Sequence, residues 1–464
     1  MIYYIVLAIS FFIIAFIIRY FRRVFYAVAE VSVSVVDKLM SDKNDEEKLD
    51  QVQKDTYQLF FNLLKMFLLV IAAFVIGSIP IIIYCLLYNL TYNDLVFSSF
   101  YSILSISIGA TIPFLIPISK KNVSGYSELS QLLHRMALNN YNLAYKLFKK
   151  EVKKIKRRNL KINNKFVIVS GLARAGTTSL MNDLAKINNF VSLSYANMPF
   201  LLCPNLWAKI YKPKSKKLKE RSHKDGIMIG YDSNEALEEF FFKVKANDAY
   251  IDDEFLSEYE ISEEDYNDYL EYQTIIKLDD NKIYLAKNNN FILRYKSVRN
   301  FNDEFIMLIL FRDPLTHASS LMEKHFDYIK LQEEDPFVLE YMNWLGHHEF
   351  GKNQKPFLLN NSKSDFSVDK TNLDYWLKLW INYYKNILPV NHPNTILINY
   401  DEYCNQPGKI VRTVIEKLNI DAETPEYKAF KNKRKTVQNY SVELYEEAMT
   451  IYNQLLEKTN YGQN

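Results

Sequence analysis

Cysteine is scarce in this sequence: Cys85, Cys203 and Cys404 are the three in 464 residues, and they lie far apart. That spacing excludes a disulfide framework and a cysteine zinc site, whose ligands come in close pairs, and it fits a reducing compartment. An excess of charge is missing too. The 57 Lys and Arg against 54 Asp and Glu leave +3, so nothing in the overall balance points to a nucleic-acid partner. Also absent is a His-Glu-x-x-His helix motif. His347, His348 and Glu349 are adjacent but lack that spacing, so no metal is expected. They read instead as stacking, structural hydrogen-bonding or acceptor-contact residues. Basic residues concentrate in one place, residues 146–165, with ten Lys or Arg and one Glu. The length leaves room for one large domain or two ordinary ones.

Charge is nearly absent from three stretches. Ile2 to Ile18 is almost wholly apolar and runs into Arg19, Arg22 and Arg23, while Phe67–Tyr88 and Leu95–Ile118 contain no charged residue. A membrane-spanning helix needs ~20 apolar residues, so the sequence predicts about three transmembrane helices, at 2–18, 67–88 and 95–118. No basic region precedes the first stretch and no small-residue cleavage site follows it, which argues for an uncleaved anchor. Pro80, Pro113 and Pro117 are expected to kink these helices. Lys and Arg crowd residues 19–65 and recur at Lys120 and Lys121, whereas residues 88–94 carry none. By the positive-inside rule the N-terminus is outside and everything after 119 is cytoplasmic. Val31–Lys65 reads as helical, with an apolar stripe through Leu49, Val52, Leu59 and Leu63 and an interruption at Lys43–Glu47. Tyr126–Lys165 reads as a further helix. Its basic end either lies on anionic headgroups, gaining ~1 kcal/mol per cation, or is a solvated face. The expected organisation is a membrane region at 1–125, a basic linker helix at 126–160 and an α/β domain at 161–464.

The α/β domain is organised around Lys165-Phe-Val-Ile-Val-Ser-Gly-Leu-Ala-Arg-Ala-Gly-Thr-Thr-Ser-Leu180. Phe166–Ser170 suits a buried parallel strand. Gly171–Gly176 is a small-residue loop, and Thr177 and Thr178 open a helix running from Ser179 to Ile187. Loop N–H groups and a helix N-terminus together make an anion cradle. The spacing is Gly-x-x-x-x-Gly-Thr-Thr, so Thr177 stands where a nucleoside-triphosphate loop has its Lys, and Arg174 is the loop's cation. The stretch resembles the 5′-phosphosulfate-binding loop of sulfotransferases that use 3′-phosphoadenosine 5′-phosphosulfate (PAPS).

A second stretch agrees. Glu304–Arg312 reads as a strand running into Arg312-Asp-Pro-Leu-Thr-His-Ala-Ser-Ser320. An Arg at a strand end and a Ser eight residues later resemble the family's 3′-phosphate site. Asp313 and Pro314 fit a helix cap and first turn. Lys282–Lys287 reads as a strand ending beside Asn288, Asn289 and Asn290. The family places a Lys there, near the bridging oxygen of PAPS, so the resemblance gives Lys287 that role. Cytosolic members carry a catalytic His two residues later, where this chain has Asn289. The search for a base therefore moves to His223, Asp225, Glu235, Glu238 and Glu239, within a segment similar to one in some members. Transfer to a hydroxyl needs such a base, and the choice among His223, Asp225 and Glu239 stays open. Asp232 or Ser233 is expected to cap a helix through Lys243.

Elsewhere, Ser262-Glu-Glu-Asp265 reads as a helix start, Asp374–Leu388 as an amphipathic helix anchored by Trp376 and Trp380, and Asn394–Glu402 as the last strand with its turn. Tyr400–Tyr403 resembles the family's Tyr-Glu-Asp-Leu element, and Pro407–Leu418 reads as the next helix. The lysine-rich Tyr211–Lys224 and the basic Lys431–Lys435 are solvated or touch anionic ligands. The resemblance spans residues 160–420 and implies a parallel-sheet, P-loop-like sulfotransferase domain behind an α-helical membrane region. It implies that Gly171, Arg174, Gly176, Thr177, Thr178 and Ser179 hold the 5′ phosphosulfate. Arg312 and Ser320 would hold the 3′ phosphate, with Lys287 and Arg174 neutralising the leaving group. PAPS is the expected co-substrate, without a metal. Location alone points to a glycan or glycolipid acceptor at the cytoplasmic face of a membrane. A degenerate nucleotide kinase or NTPase and a non-catalytic membrane scaffold remain open.

Overall fold

The computed structural model describes residues 1–41, 44–116, 124–212, 236–360, 366–430 and 439–459, with the strand pair 219–220 and 228–229. The chain divides into two compact units, Met1–Leu143 and Ala144–Asn464.

The first unit is helical: α1 (Ile2–Tyr20), α2 (Arg22–Leu39), α3 (Asp45–Tyr88), α4 (Phe100–Leu115) and α5 (Glu128–Leu138). By length and composition, α1 and α3 are long and apolar enough to cross a membrane. The expected break at Lys43–Glu47 falls at the α2–α3 junction, where Asn44 caps α3 by accepting from the Glu47 N–H. Beyond it, the rest of the expected Val31–Lys65 helix and the second span form one helix of 44 residues, with Pro80 inside it, ~66 Å long. The third span differs from expectation. Leu95–Ser99 stays out of the helix, Ser99 caps it, and α4 has only 16 residues, ~24 Å of rise, short of the ~20 residues a bilayer core requires. Close contacts join α1 to α3 and α4. A Cβ on Gly77 would come within 2.2 Å of Ile14, and one on Gly109 within 2.1 Å of the Ala8 carbonyl. Small residues allow helix backbones to approach this closely. Phe67, Phe74, Ile79, Ile83, Leu86 and Leu87 of α3 stay exposed.

The second unit begins within α6 (Tyr141–Lys156). The single helix expected over 126–165 is therefore two, α5 and α6, parted at Asn139 and Asn140. Phe148, Val152 and Ile155 bury one face of α6. Its cations divide: Lys149 and Lys156 pair with Asp268 and Glu271, while Lys153 and Lys154 remain exposed.

Five parallel strands follow: β1 (Phe166–Gly171), β2 (Phe190–Val191), β3 (Ile283–Lys287), β4 (Ile306–Phe311) and β5 (Thr395–Asn399), in spatial order β2-β3-β1-β4-β5. Every residue of β1, β3 and β4 is buried, as continuous apolar runs require when both sheet faces are covered. Alternation along the strands divides the core. Val167, Val169, Leu308 and Leu310 pack with α7 (Thr177–Leu184) and the Pro407–Leu418 helix. On the other face Phe166 stacks on Phe305, ring centroids 4.9 Å apart, and meets Tyr269 edge-on. Trp376 and Trp380 are fully buried on the Leu373–Ile387 helix, and Ser262 caps the Glu263–Lys277 helix.

Register positions the functional edge. Val169 lies opposite Lys287, Gly171 opposite Leu310, and Phe311 opposite Asn399. All four strands thus end along one edge. The chain goes from β1 to β2 and β3 on one side, then crosses to β4 and β5 on the other. That reversal makes β1 the switch point, where open α/β sheets form ligand crevices outside their carboxyl ends.

Leu308 is completely buried at the centre of this sheet. Leu308→Ala is expected to lower unfolding stability by ~2–5 kcal/mol, measured by urea denaturation of the full chain in detergent; a loss near zero would contradict its central position.

Candidate active site

The site starts at the loop joining β1 to α7. Gly171 and Gly176 have φ of 138° and 102°, and neither has room for a side chain. A Cβ at 171 would sit 2.6 Å from the Leu310 carbonyl, and one at 176 would sit 2.3 Å from the Tyr400 ring. Arg174 also takes a positive φ, 71°, a conformation uncommon for a residue with a side chain and enriched at functional loops. The Ala175 N–H donates to the Leu172 carbonyl at 3.1 Å, and the Ser179 and Leu180 N–H groups donate to Gly176. His317 holds the loop from below, with Nε2 2.7 Å from the Ala173 carbonyl. A carbonyl only accepts, so Nε2 carries the proton. Burial, with help from Arg312 and Arg174, pushes the His317 pKa down to about 3 and keeps the ring neutral.

Three cations from three chain segments meet here. Arg174 Nε donates to Ser320 Oγ at 3.2 Å, and Lys287 Nζ donates to Thr178 Oγ1 at 3.0 Å. The Arg312 guanidinium lies 5.2 Å from the Tyr400 ring centroid. Burial and the nearby Arg174 charge lower the Arg312 pKa, against the opposing pull of Tyr400. Lys287 and Arg312 are only 8% and 7% exposed. As expected, Asp313 caps the Pro314–Glu334 helix by accepting from the Thr316 N–H, and Pro314 opens it. Ser320 therefore stands on the second turn, facing Arg174. Gly171, Arg174, Gly176, Thr177, Thr178, Ser179, Lys287, Arg312 and Ser320 thus gather at one end of the sheet, although they come from three separate parts of the sequence. Buried like charges repel, and this crowding at a helix N-terminus suits a polyanion, with Arg supplying planar paired donors.

Glu239 is placed otherwise than expected. It opens the Glu239–Ala246 helix, and both carboxylate oxygens are occupied. Oε1 accepts from Arg294 at 2.6 Å and from the Tyr250 hydroxyl; Oε2 accepts from Arg294 at 2.6 Å and Asn288 at 2.9 Å. Arg294 is itself fully buried, 4.1 Å from the Phe242 ring centroid. Burial alone would raise the Glu239 pKa; the Arg294 charge outweighs it and holds the carboxyl below its usual range. Glu239 is thus a buried anchor tied to the end of β3 through Asn288, not a group open to an acceptor. Neighbouring Glu238 accepts from Tyr269, and burial pushes its pKa up to about 7. His223 and Asp225, the capping candidates Asp232 and Ser233, Glu235, and the basic tract Lys431–Lys435 lie outside the described residues.

Two neighbours of the cluster were named in the sequence but given no place in the site. Tyr400 lies between Gly176 and Arg312. Glu349 accepts from Asn289 Nδ2 at 3.2 Å and has His347 Nδ1 at 3.5 Å, on the same oxygen. Burial opposes the Glu349 charge, but His347 and then Lys287 hold its pKa down to about 2. The adjacency of His347, His348 and Glu349 was the available signal. Their fates differ, since His348 turns its Nδ1 to the Asn353 carbonyl at 2.8 Å.

Removing Arg294 strands a buried carboxylate. Arg294→Ala is expected to cost ~3–5 kcal/mol of stability, read as a lower denaturation midpoint. Wild-type stability would show that the pair does not anchor the end of β3.

No family model matches the chain, and neither does any curated protein. Two solved structures are similar in fold. One is the sulfotransferase STF1 from Mycobacterium tuberculosis, 13% identical with a TM-score of 0.38, the match covering 74% of this chain and 86% of that one. The other is a sulfotransferase from Alicyclobacillus acidocaldarius, 13% identical with a TM-score of 0.30, covering 63% of this chain and 93% of that one.

Proposed function

We propose that residues 144–464 form a PAPS-dependent sulfotransferase, held by the helical unit at the cytoplasmic face of a membrane. The observation that carries this reading is the Arg174–Ser320 hydrogen bond of 3.2 Å. It joins the anion cradle after β1 to the helix that follows Arg312, so two anion-binding pockets adjoin, as a nucleotide with phosphate groups at both ends of its ribose requires. PAPS, when bound, supplies a sulfuryl group activated by its anhydride link to phosphate.

This chain's residues supply binding and charge neutralisation. The loop N–H groups and the start of α7 hold the 5′ phosphosulfate with Thr177, Thr178 and Ser179, and Arg312 and Ser320 hold the 3′ phosphate. Lys287 and Arg174 offset the charge that develops on the leaving phosphate. By analogy with phosphoryl transfer, positioning and electrostatic stabilisation are most of the catalysis. The electrostatics disfavour the NTPase reading. Thr177 replaces the loop Lys, and the Thr178 hydroxyl, which would be offered to magnesium in such a loop, already meets the Lys287 ammonium at 3.0 Å.

The apolar lengths of α1 and α3 support membrane anchoring, and the cations flanking them support a cytoplasmic catalytic unit. A hydroxyl or amine of a glycan or glycolipid is the acceptor class that fits this location.

Two measurements test the reading. Titration with PAPS and with its product, adenosine 3′,5′-bisphosphate, is expected to show that Arg312→Ala weakens both by ~10–150-fold, the loss of a charged hydrogen-bonding group. Arg174→Ala is expected to lower turnover more than product binding; identical behaviour of the two variants contradicts the assigned roles. Magnesium-dependent ATP turnover without PAPS binding would favour the NTPase. PAPS binding with unchanged sulfated products in cells carrying Lys287→Ala and Arg174→Ala would favour a scaffold. Separately, the full chain is expected to stay in the membrane pellet after alkaline carbonate extraction; release into the supernatant would rule out an integral anchor. Mass spectrometry of glycolipids and polysaccharides after labelled-sulfate feeding identifies the acceptor.

A further inference from the structure

Residues 146–165 hold ten Lys or Arg and one Glu in a chain whose total is +3. This short stretch, at +9, therefore stands against a net −6 everywhere else. Most of it lies on α6, which presents three distinct faces. Ala144, Phe148, Val152 and Ile155 are buried, with the Phe148 ring edge-on to Phe241 at 6.0 Å and to Tyr272 at 6.4 Å. The one acid of the helix, Glu151, is buried on the same side, where Oε2 accepts from Asn205 at 2.9 Å. On the flank, Lys149 pairs with Asp268 and Lys156 with Glu271.

The third face is cationic. Lys146, Lys150 and Lys153 stand at i, i+4 and i+7, so they share one line along the helix. The helical period puts that line opposite Phe148, Val152 and Ile155. Lys154 lies beside it, and Arg157 and Arg158 follow past the helix end; all six are exposed. From Lys146 to Lys154 the line measures ~12 Å. Among the described residues no carboxylate pairs with Lys146, Lys150, Lys153, Arg157 or Arg158. Like charges four apart destabilise a helix. The helix dipole favours cations in the last turn, which accounts for Lys153 and Lys154 but not for Lys146 and Lys150.

We propose that this stripe lies on anionic phospholipid headgroups of the bilayer that holds α1 and α3; the tether to that bilayer rests on the membrane-anchored reading, the charge pattern does not. Charge complementarity selects the partner. A row of ammonium and guanidinium groups on a convex helix face has no pocket to single out one small ligand, and it matches a planar array of phosphates. Continuity of the chain brings the partner near. Only Asn139 and Asn140 separate α6 from α5, so a bilayer holding α1 and α3 stays at high local concentration for the stripe. Each Lys or Arg near an anionic leaflet gains attraction that fades within a Debye length, and the long stems let the charged heads reach the phosphates. The apolar face of α6 is already packed against Phe241 and Tyr272. The contact is therefore electrostatic and superficial, unlike that of an amphipathic helix that sinks its apolar face into the interface.

The test places the full chain in nanodiscs of phosphatidylcholine alone, or of phosphatidylcholine and phosphatidylglycerol in equal parts. Cys203 and Cys404 are buried, so in a Cys85→Ser background a nitroxide can be attached at Lys150→Cys. A control label sits at Glu457→Cys, exposed on the Val442–Lys458 helix. Collision of each label with a water-soluble nickel complex is read by electron paramagnetic resonance. Phosphatidylglycerol is expected to shield position 150 and leave position 457 unchanged. The shielding should vanish in 1 M salt, where the Debye length shrinks to ~3 Å. Neutralising Lys146, Lys153 and Arg157 to Gln should lower the docked-to-free ratio ~5-fold for each cation removed. Equal collision rates in the two bilayers, equal shielding at both positions, or shielding that survives the triple variant overturns the proposal. The salt titration uses no stripe variant beyond the label, so a triple variant that fails to fold leaves the decision to it. If the chain does not enter nanodiscs, the anchored reading fails, and flotation with preformed vesicles of the same two compositions decides the stripe. Salt-sensitive flotation with the phosphatidylglycerol vesicles alone supports it; no flotation, or flotation with both, overturns it.

Discussion

Positive charge collected at the carboxyl edge of a parallel sheet is the constraint the α/β unit is built around. Lys287 and Arg312 end adjacent parts of that sheet while less than a tenth exposed, and Arg174 approaches them from the β1 loop. Desolvating cations in close company is costly, so the surroundings must hold them rigidly. The fold does this with a positive φ at Arg174, a neutral buried His317 under the loop, Ser320 on the following helix and Thr178 under Lys287. The same arrangement explains how an anion cradle works without a loop Lys. The ammonium comes across the sheet from β3 and reaches the first turn of α7.

A second, neutralised charge network lies behind that edge. Arg294 and Glu239 form a buried pair whose remaining hydrogen bonds run through Tyr250 and Asn288. Asn288, Asn289 and Asn290 then serve three directions from one turn: the Glu238–Glu239 pair, Glu349, and the Gly346 carbonyl. Three amides in a row let the end of β3 bind acidic and carbonyl partners without adding charge next to Lys287. The helical unit follows different rules. Its close contacts use Gly77 and Gly109, and among the described residues its ion pairs, such as Lys38 with Asp55 at 2.7 Å, lie outside the apolar stretches.

Local patterns were legible where the physics is local. The β1 loop, the Asp313 cap and the eight-residue step from Arg312 to Ser320 each lie within one strand–turn–helix unit, so spacing maps onto geometry. The reading of the helices failed where hydropathy and hydrogen bonding disagree. A charge ends an apolar window but does not end a helix, so α3 runs straight from its charged half into its apolar half. Conversely, Leu95–Ser99 is apolar, yet Ser99 at the N-cap fixes where α4 begins. Asn139 and Asn140 likewise split a pattern that looked continuous.

What the sequence determined by itself was the alphabet of the site: a small-residue loop opening a helix, strand-end cations, and apolar lengths of membrane scale. Those depend on neighbours a few residues apart. Only the tertiary structure decided which groups face one another, because the deciding contacts join residues 49 to 146 positions apart: Arg174 with Ser320, Lys287 with Thr178, Asn289 with Glu349, and Glu239 with Asn288 and Arg294. A carboxylate's role follows from its partner's charge and from its burial, and neither is written in the residues beside it. Glu239 therefore became an anchor, and Glu349 entered the site beside His347.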